Sequence, residues 1–285
     1  MTAAKTLYVD HSIVAKPQYR LLLETLLRGG EYRLVLSLWN LAEMAAATDE
    51  VQRAERLEYL QQFSPRWVLE TAALKSAEVR RYLWTHRFAQ AAPQEEVFFQ
   101  YLSEVLARSG ERNIRIGETP HSWIERFSRQ QFKRTKDRAP DALSQLQSFE
   151  PDYFRELQAR AFPKWVLKSV PNRDPDEKLL TQGEQQTLAE YCTQNKADFL
   201  NVCPVMAVED ALSRIRTSNP KRNPKPSDAP DLMHTIAGIA YCDVFLLDDG
   251  WAEDCARQAK EELRQHTLAE IHNPSTVASI TNRPD

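Results

Sequence analysis

Two apolar runs in this chain end on aspartate. The first, "LYVDHSIV" at residues 7–14, reaches Asp10, and the second, "DVFLL" at 243–247, runs into Asp248 and Asp249. If both runs are buried strands of one parallel sheet, their ends share the carboxyl edge, where open α/β folds bind their ligands. Taken alone, Asp10 reads first as a turn or helix cap, so other acids at that edge must decide its role. Glu43 in "NLAEMA" and Asp231 in "SDAPDLMH" supply two more, each in an apolar stretch where an unpaired carboxylate is costly. Asp10, Glu43, Asp231 and Asp249 together would hold Mg²⁺ or Mn²⁺, hard ions that prefer oxygen ligands. A bound ion acidifies water for attack on phosphorus, and a second ion about 4 Å away stabilises the leaving oxygen, so neither a histidine base nor a serine nucleophile is required.

The spacing leaves alternatives within this set. Asp228 competes with Asp231, although its place at a helix start between Ser227 and Pro230 favours a cap. Asp248 and Asp249 would point in opposite directions along a continuing strand, so only one of them faces the ion. His234 lies one turn beyond Asp231 on the same helix face, in reach of the site or its phosphate, but a lone histidine there is more often a packing residue. Asn40 shares a face with Glu43 and could orient a ligand or water, while for Ser37 a place near the site and a helix cap are equally open. The six tryptophans suit core anchoring better than base stacking.

The elements that must position these groups follow from pattern. Residues 6–9 read as a strand, "KPQYRLLLETLLRGG" as a helix started by Pro17 and stopped at Gly29-Gly30, and "YRLVLS" as a second strand, which makes a βαβ unit. "LWNLAEMAAA" follows as a helix, then a polar helix over about 49–62 and a third strand in "RWVLET". From 72 the helical period dominates as far as about 217, broken by prolines, and the α/β pattern resumes at 226 with a helix, the "DVFLL" strand, a further helix and a short edge strand in "LAEIHNPSTVASI". The expected fold is therefore α/β: a parallel central sheet flanked by helices, its core split between 1–71 and 226–285, with a large all-helical insertion at 72–225.

Composition narrows the function classes. The 285 residues are 42% hydrophobic and 27% charged, ordinary for a folded protein, and carry only 7 glycines. Four scattered cysteines with no zinc-type spacing read as reduced thiols. No signal peptide or membrane span is recognisable, so a cytoplasmic protein without membrane contact is expected. Net charge is only −3, yet basic residues concentrate in Arg108–Arg138, with Arg126, Arg129, Lys133 and Arg134, and in "RIRTSNPKRNPKP", with Lys221, Arg222 and Lys225. Such patches suit a polyanion held beside a negatively charged site, and equally a solvated helix face or loop.

The set "LYVDHSIV", "LVLSLWNLAEMA" and "SDAPDLMHTIAGIAYCDVFLLDDGW" resembles the PIN domain of metal-dependent ribonucleases. The resemblance covers residues 5–71 and 226–275. It implies that the acids of the first strand, an early helix, a late helix and the last core strand bind metal, which selects Asp10, Glu43, Asp231 and Asp249, with Asp228, Asp248, His234 and Asn40 in support. It implies an Mg²⁺- or Mn²⁺-dependent endoribonuclease acting on single-stranded RNA ahead of single-stranded DNA, in the role of a toxin, a defence effector or an RNA-processing enzyme. His11 stands where the family more usually has a small hydroxyl residue. The rival expectation is a non-catalytic module of the same fold that recruits a protein partner through the helical insertion, and an oligomer is compatible with either. A receiver-like regulatory domain fits less well, because it needs paired acids near its start and an uninterrupted chain.

Overall fold

Lys5–Val9 forms β1 at the centre of a six-stranded sheet, and its residues Leu7, Tyr8 and Val9 are completely buried. A strand covered on both faces has no polar side to alternate with, which is why this segment reads as a continuous apolar run. The computed structural model describes residues 4–47, 49–109, 117–127, 129–218, 223–226, 228–248 and 250–281, with the side chains at 129–132, 134–136, 139, 151, 229 and 278–281 left undescribed.

In chain order, β1 leads into α1 (His11–Ala15), a 3₁₀ turn at Pro17–Tyr19, α2 (Arg20–Arg28), β2 (Tyr32–Leu36), α3 (Leu38–Ala46), α4 (Glu50–Gln61) and β3 (Arg66–Val68). Then come α5 (Thr71–His86), β4 (Phe98–Phe99), α6 (Leu102–Arg108), α7 (Pro120–Arg126), α8 (Arg129–Gln147), α9 (Pro151–Leu167), α10 (Gln182–Gln194), α11 (Lys196–Val202) and α12 (Pro204–Thr217). The chain ends with α13 (Asp228–Tyr241), β5 (Val244–Leu246), α14 (Gly250–Glu262), β6 (Glu270–His272) and α15 (Pro274–Thr281).

Strand order is β4-β3-β2-β1-β5-β6, and all neighbours are parallel except β3 with β4. Leu7 of β1 stands opposite Leu34 of β2 on one side and Val244 of β5 on the other. The chain builds outward from β1 in one direction and returns to fill the opposite side with β5. The boundary between β1 and β5 is therefore the topological switch point, with its crevice at the carboxyl ends. The Asp10 amide donates to the Leu246 carbonyl at 2.9 Å, so the two strand ends remain paired where their acids begin.

One expectation is corrected here. The segment 72–225 is mainly helical but not all-helical: Phe98 and Phe99 form β4, antiparallel to Val68 and Trp67 at the sheet's edge. Two adjacent aromatics with one side buried suit a pleated edge better than a helix turn, and the eleven residues before them, 87–97, form no helix.

Two hydrophobic clusters organise the interior. The larger surrounds the sheet and takes Val105 from α6, Ile124 from α7 and Leu212 from α12. The smaller lies among α5, α9, α10 and α11, where Phe162, Phe199 and Tyr82 pack edge to face around Cys192. Glu78, on α5 and almost wholly buried, joins the two. Its carboxylate accepts the amides of Val205 at 2.9 Å and Met206 at 3.2 Å, the unpaired first turn of α12, together with the Tyr241 hydroxyl at 2.8 Å. Burial raises its pKa to about 7 against the opposing pull of those three donors.

Candidate metal centre at the sheet edge

Asp10 closes β1 and caps α1: its Oδ2 accepts the Ser12 amide at 3.1 Å and the Ser12 hydroxyl. The cap reading applies, and the cap holds the carboxylate, 8% exposed, at the switch point, where it could also serve as a ligand. Glu43 reaches the same place from the middle of α3. That helix starts on Ser37 in a capping box with Asn40, whose Oδ1 accepts the Ser37 amide at 2.8 Å. Asn40 also donates through Nδ2 to the Val9 carbonyl at 3.0 Å, which fixes α3 to the end of β1 one residue before Asp10. Asn40 is thus a positioning residue.

The third member is His234 of α13. Ligand atoms of Asp10, Glu43 and His234 all lie within 4.8 Å of one another, the only such group among the described residues. His234 Nε2 is 2.9 Å from Glu43 Oε2, and Nδ1 is 2.6 Å from the Tyr8 hydroxyl. Tyr8 continues to Ser37 Oγ at 2.7 Å, and Ser37 Oγ to Asn40 Oδ1 at 3.2 Å. With the proton on Nδ1, each link has its donor: Nδ1–H donates to Tyr8, Tyr8 to Ser37, and Ser37 to the Asn40 carbonyl oxygen. This chain orients the ring from its far side and aims Nε2 at the carboxylates, as second-shell partners do for metal-ligating histidines.

The helix can come this close because residue 238 is glycine. A Cβ there would stand 2.9 Å from a ring carbon of Tyr8, closer than such contacts allow, and a tight 3.2 Å from Phe245. The small residue seats α13 directly on β1 and β5.

Electrostatics match the geometry. Burial acts to lower the His234 pKa, but the Glu43 hydrogen bond and charge, with Asp10 and Asp231 behind them, outweigh it and raise the pKa above the usual histidine value. Burial raises the Tyr8 phenol well above its ordinary value, so it stays protonated. His11 differs: burial lowers its pKa despite the charges of Glu43 and Asp10, and its Nδ1 is buried with no hydrogen-bond partner.

The remaining expected residues divide. Asp231 is within electrostatic reach of His234 but lines a small cleft with Arg216, Thr235 and Trp251, and is not one of the three clustered ligands. Asp228 is buried at the first position of α13, and its carboxylate accepts the amide of Lys225, three residues earlier, at 2.9 Å. Asp248 pairs with Lys16 and accepts the Tyr19 hydroxyl at 2.9 Å. Asp249, Lys221 and Arg222 lie outside the described residues, as do the side chains of Arg129 and Arg134. Lys133 and Lys225 are exposed, whereas Arg126 is held by the buried carboxylate of Glu118 at 2.9 Å. No helix among the described residues is long and apolar enough to cross a membrane.

Sequence reasoning overlooked Tyr8. The signal was a hydroxyl-bearing ring inside an otherwise aliphatic central strand, since a buried tyrosine needs a partner for its oxygen. Comparison with protein-family models, curated proteins and solved structures finds no match to this chain.

Proposed function

We propose that this protein is a PIN-like, divalent-metal-dependent nuclease, with Asp10, Glu43 and His234 as the metal-binding group. The observation that carries the reading is the convergence of these three donors at the carboxyl end of the central strand, beside the switch point. Two carboxylates and one imidazole suit a first-row transition ion, so Mn²⁺ is favoured over Mg²⁺, which prefers an all-oxygen shell. When bound, such an ion supplies positive charge for a phosphodiester and acidifies water for its hydrolysis.

The chain's own residues do the positioning. Tyr8 holds the Nδ1 side of His234, and Ser37 and Asn40 hold Tyr8. Asp10 and Glu43 contribute the negative charge that attracts a cation and repels bare phosphate. Asp231 stands behind His234 as a further negative charge. Exposed Lys133 and Lys225 suit backbone phosphate contacts, which position a strand without reading its sequence. Arg126, already paired with Glu118, suits that role less. Single-stranded RNA is the preferred substrate by resemblance, with the 72–225 segment as a wall of the groove.

The alternative is a non-catalytic module, favoured by one feature: Asp10 is already satisfied as the cap of α1. Labelled single-stranded RNA and DNA, incubated with the protein in Mn²⁺, Mg²⁺ or EDTA beside Asp10→Asn and Glu43→Gln, separates the two. Metal-dependent cutting lost in both variants supports the nuclease. An inert wild type that binds no Mn²⁺ in calorimetry leaves the module.

A further inference from the structure

The carboxyl edge of β1 and β5 carries a positive charge as well as carboxylates. Val9 stands opposite Leu246, and the Asp10 amide still reaches the Leu246 carbonyl, so Asp248 leaves the sheet beside Asp10, two residues further along. Lys16 meets it there. It follows α1, the five-residue helix that Asp10 caps at the other end, and its ammonium pairs with Asp248 Oδ2. The Tyr19 hydroxyl donates to the same oxygen at 2.9 Å, and Lys16 Nζ lies 5.8 Å from the centre of the Tyr19 ring.

Lys16 is therefore a lysine held in place with donors to spare. An ammonium carries three N–H groups, and Asp248 is its one hydrogen-bond partner among the described residues, while the side chain is 45% exposed. Anchoring by Asp248 and Tyr19 removes part of the ordering cost that a long, flexible side chain meets on binding. The Asp248 hydrogen bond, with the charges of Asp248 and Asp10 behind it, raises the Lys16 pKa above the ordinary lysine value, so the group stays charged. Asp248 already has its cation, which separates it from Asp10 and Glu43.

Charge counting gives such a cation a task. The charge of a divalent ion held by Asp10 and Glu43 is offset by the two carboxylates, which leaves little net attraction for a phosphodiester. A fixed positive charge beside them supplies it. We propose that Lys16 is the phosphate-holding residue of this site: its ammonium binds a non-bridging oxygen of the phosphodiester at the switch point, and Asp248 is the anchor of Lys16, not a metal ligand. The proposal rests on the nuclease reading and adds to it the residue that holds the substrate.

Calorimetry tests it in two stages, first with Mn²⁺ and then, on the Mn²⁺-loaded protein, with adenosine 5′-monophosphate, which offers a phosphate but no phosphodiester to cut. Lys16→Met should bind Mn²⁺ as the wild type does and the nucleotide about tenfold more weakly, the worth of one charge-assisted hydrogen bond. Lys16→Arg should restore most of that loss. Lys5→Met, at the opposite end of β1, should leave nucleotide affinity unchanged. Asp248→Asn should keep the Mn²⁺ affinity of the wild type. Equal nucleotide affinity in Lys16→Met, or no nucleotide binding by the Mn²⁺-loaded wild type, overturns the proposal and leaves the metal centre standing. A loss of Mn²⁺ affinity in Asp248→Asn as large as in Glu43→Gln overturns it by making Asp248 a ligand. A wild type that binds no Mn²⁺ overturns the nuclease reading, and this assignment with it.

Discussion

Glu43 and Glu78 are both carboxylates projecting from the middle of a helix into the interior, and their surroundings assign them opposite work. Glu78 is surrounded by donors: two amides of the first turn of α12 and the Tyr241 hydroxyl. Its acceptor capacity is used by groups that belong to the fold. Glu43 meets a histidine that is itself oriented from behind by Tyr8, and a second carboxylate from Asp10. Two acids and an imidazole, with ligand atoms all within 4.8 Å of one another, form a group that could hold a cation. Burial alone therefore does not distinguish the two acids. The kinds of group gathered around each do.

The sharpest break between the two comes from neutralising each in turn. Glu43→Gln should lower Mn²⁺ affinity in calorimetry by at least about 100-fold, while unfolding free energy in urea changes by less than about 1 kcal/mol, because the amide, which carries both a donor and an acceptor, still hydrogen-bonds His234. A large loss of stability with metal affinity intact would reverse the assignment. Glu78→Ala should do the opposite. It strands two amides and a hydroxyl, and should destabilise the protein by about 3 kcal/mol with Mn²⁺ binding retained at temperatures where the variant is folded.

The acidity of Glu78 sharpens the contrast. Its folded pKa is raised from 4.5 to about 7, so the folded state holds the proton more tightly than the unfolded chain. The resulting stabilisation is complete below pH 4.5 and is lost as pH rises through about 7, a change of roughly 3 kcal/mol at most. Glu78→Gln, which cannot ionise, should flatten that part of the stability profile. Identical profiles for the two proteins would show that Glu78 stays charged throughout. The smallest effect belongs to the support behind the candidate metal site: Tyr8→Phe should weaken Mn²⁺ binding about tenfold, since it removes the hydroxyl that hydrogen-bonds His234. Unchanged affinity would mean that packing alone holds the ring.

Much of the frame was legible because it rests on local rules. A strand buried on both faces must be continuously apolar, so β1 and β5 stood out, and their terminal acids with them. Ser37 at the start of α3 could be read as a cap from its type and place. The two-residue strand β4 was not legible, because what defines it is pairing with β3, which no local pattern signals.

The chain's own order of residues determined that Asp10 follows the central strand and that α3, which carries Glu43, starts at the same carboxyl edge of the parallel sheet. Tertiary structure decided the third member. Asp231 and His234 share a face of α13, one turn apart, about 4.5 Å along the axis. Which of them meets Glu43 depends on where α13 sits on the sheet, and that is set by Gly238 against Tyr8 and Phe245. Helical periodicity specifies a face; only packing against another element specifies the height along it.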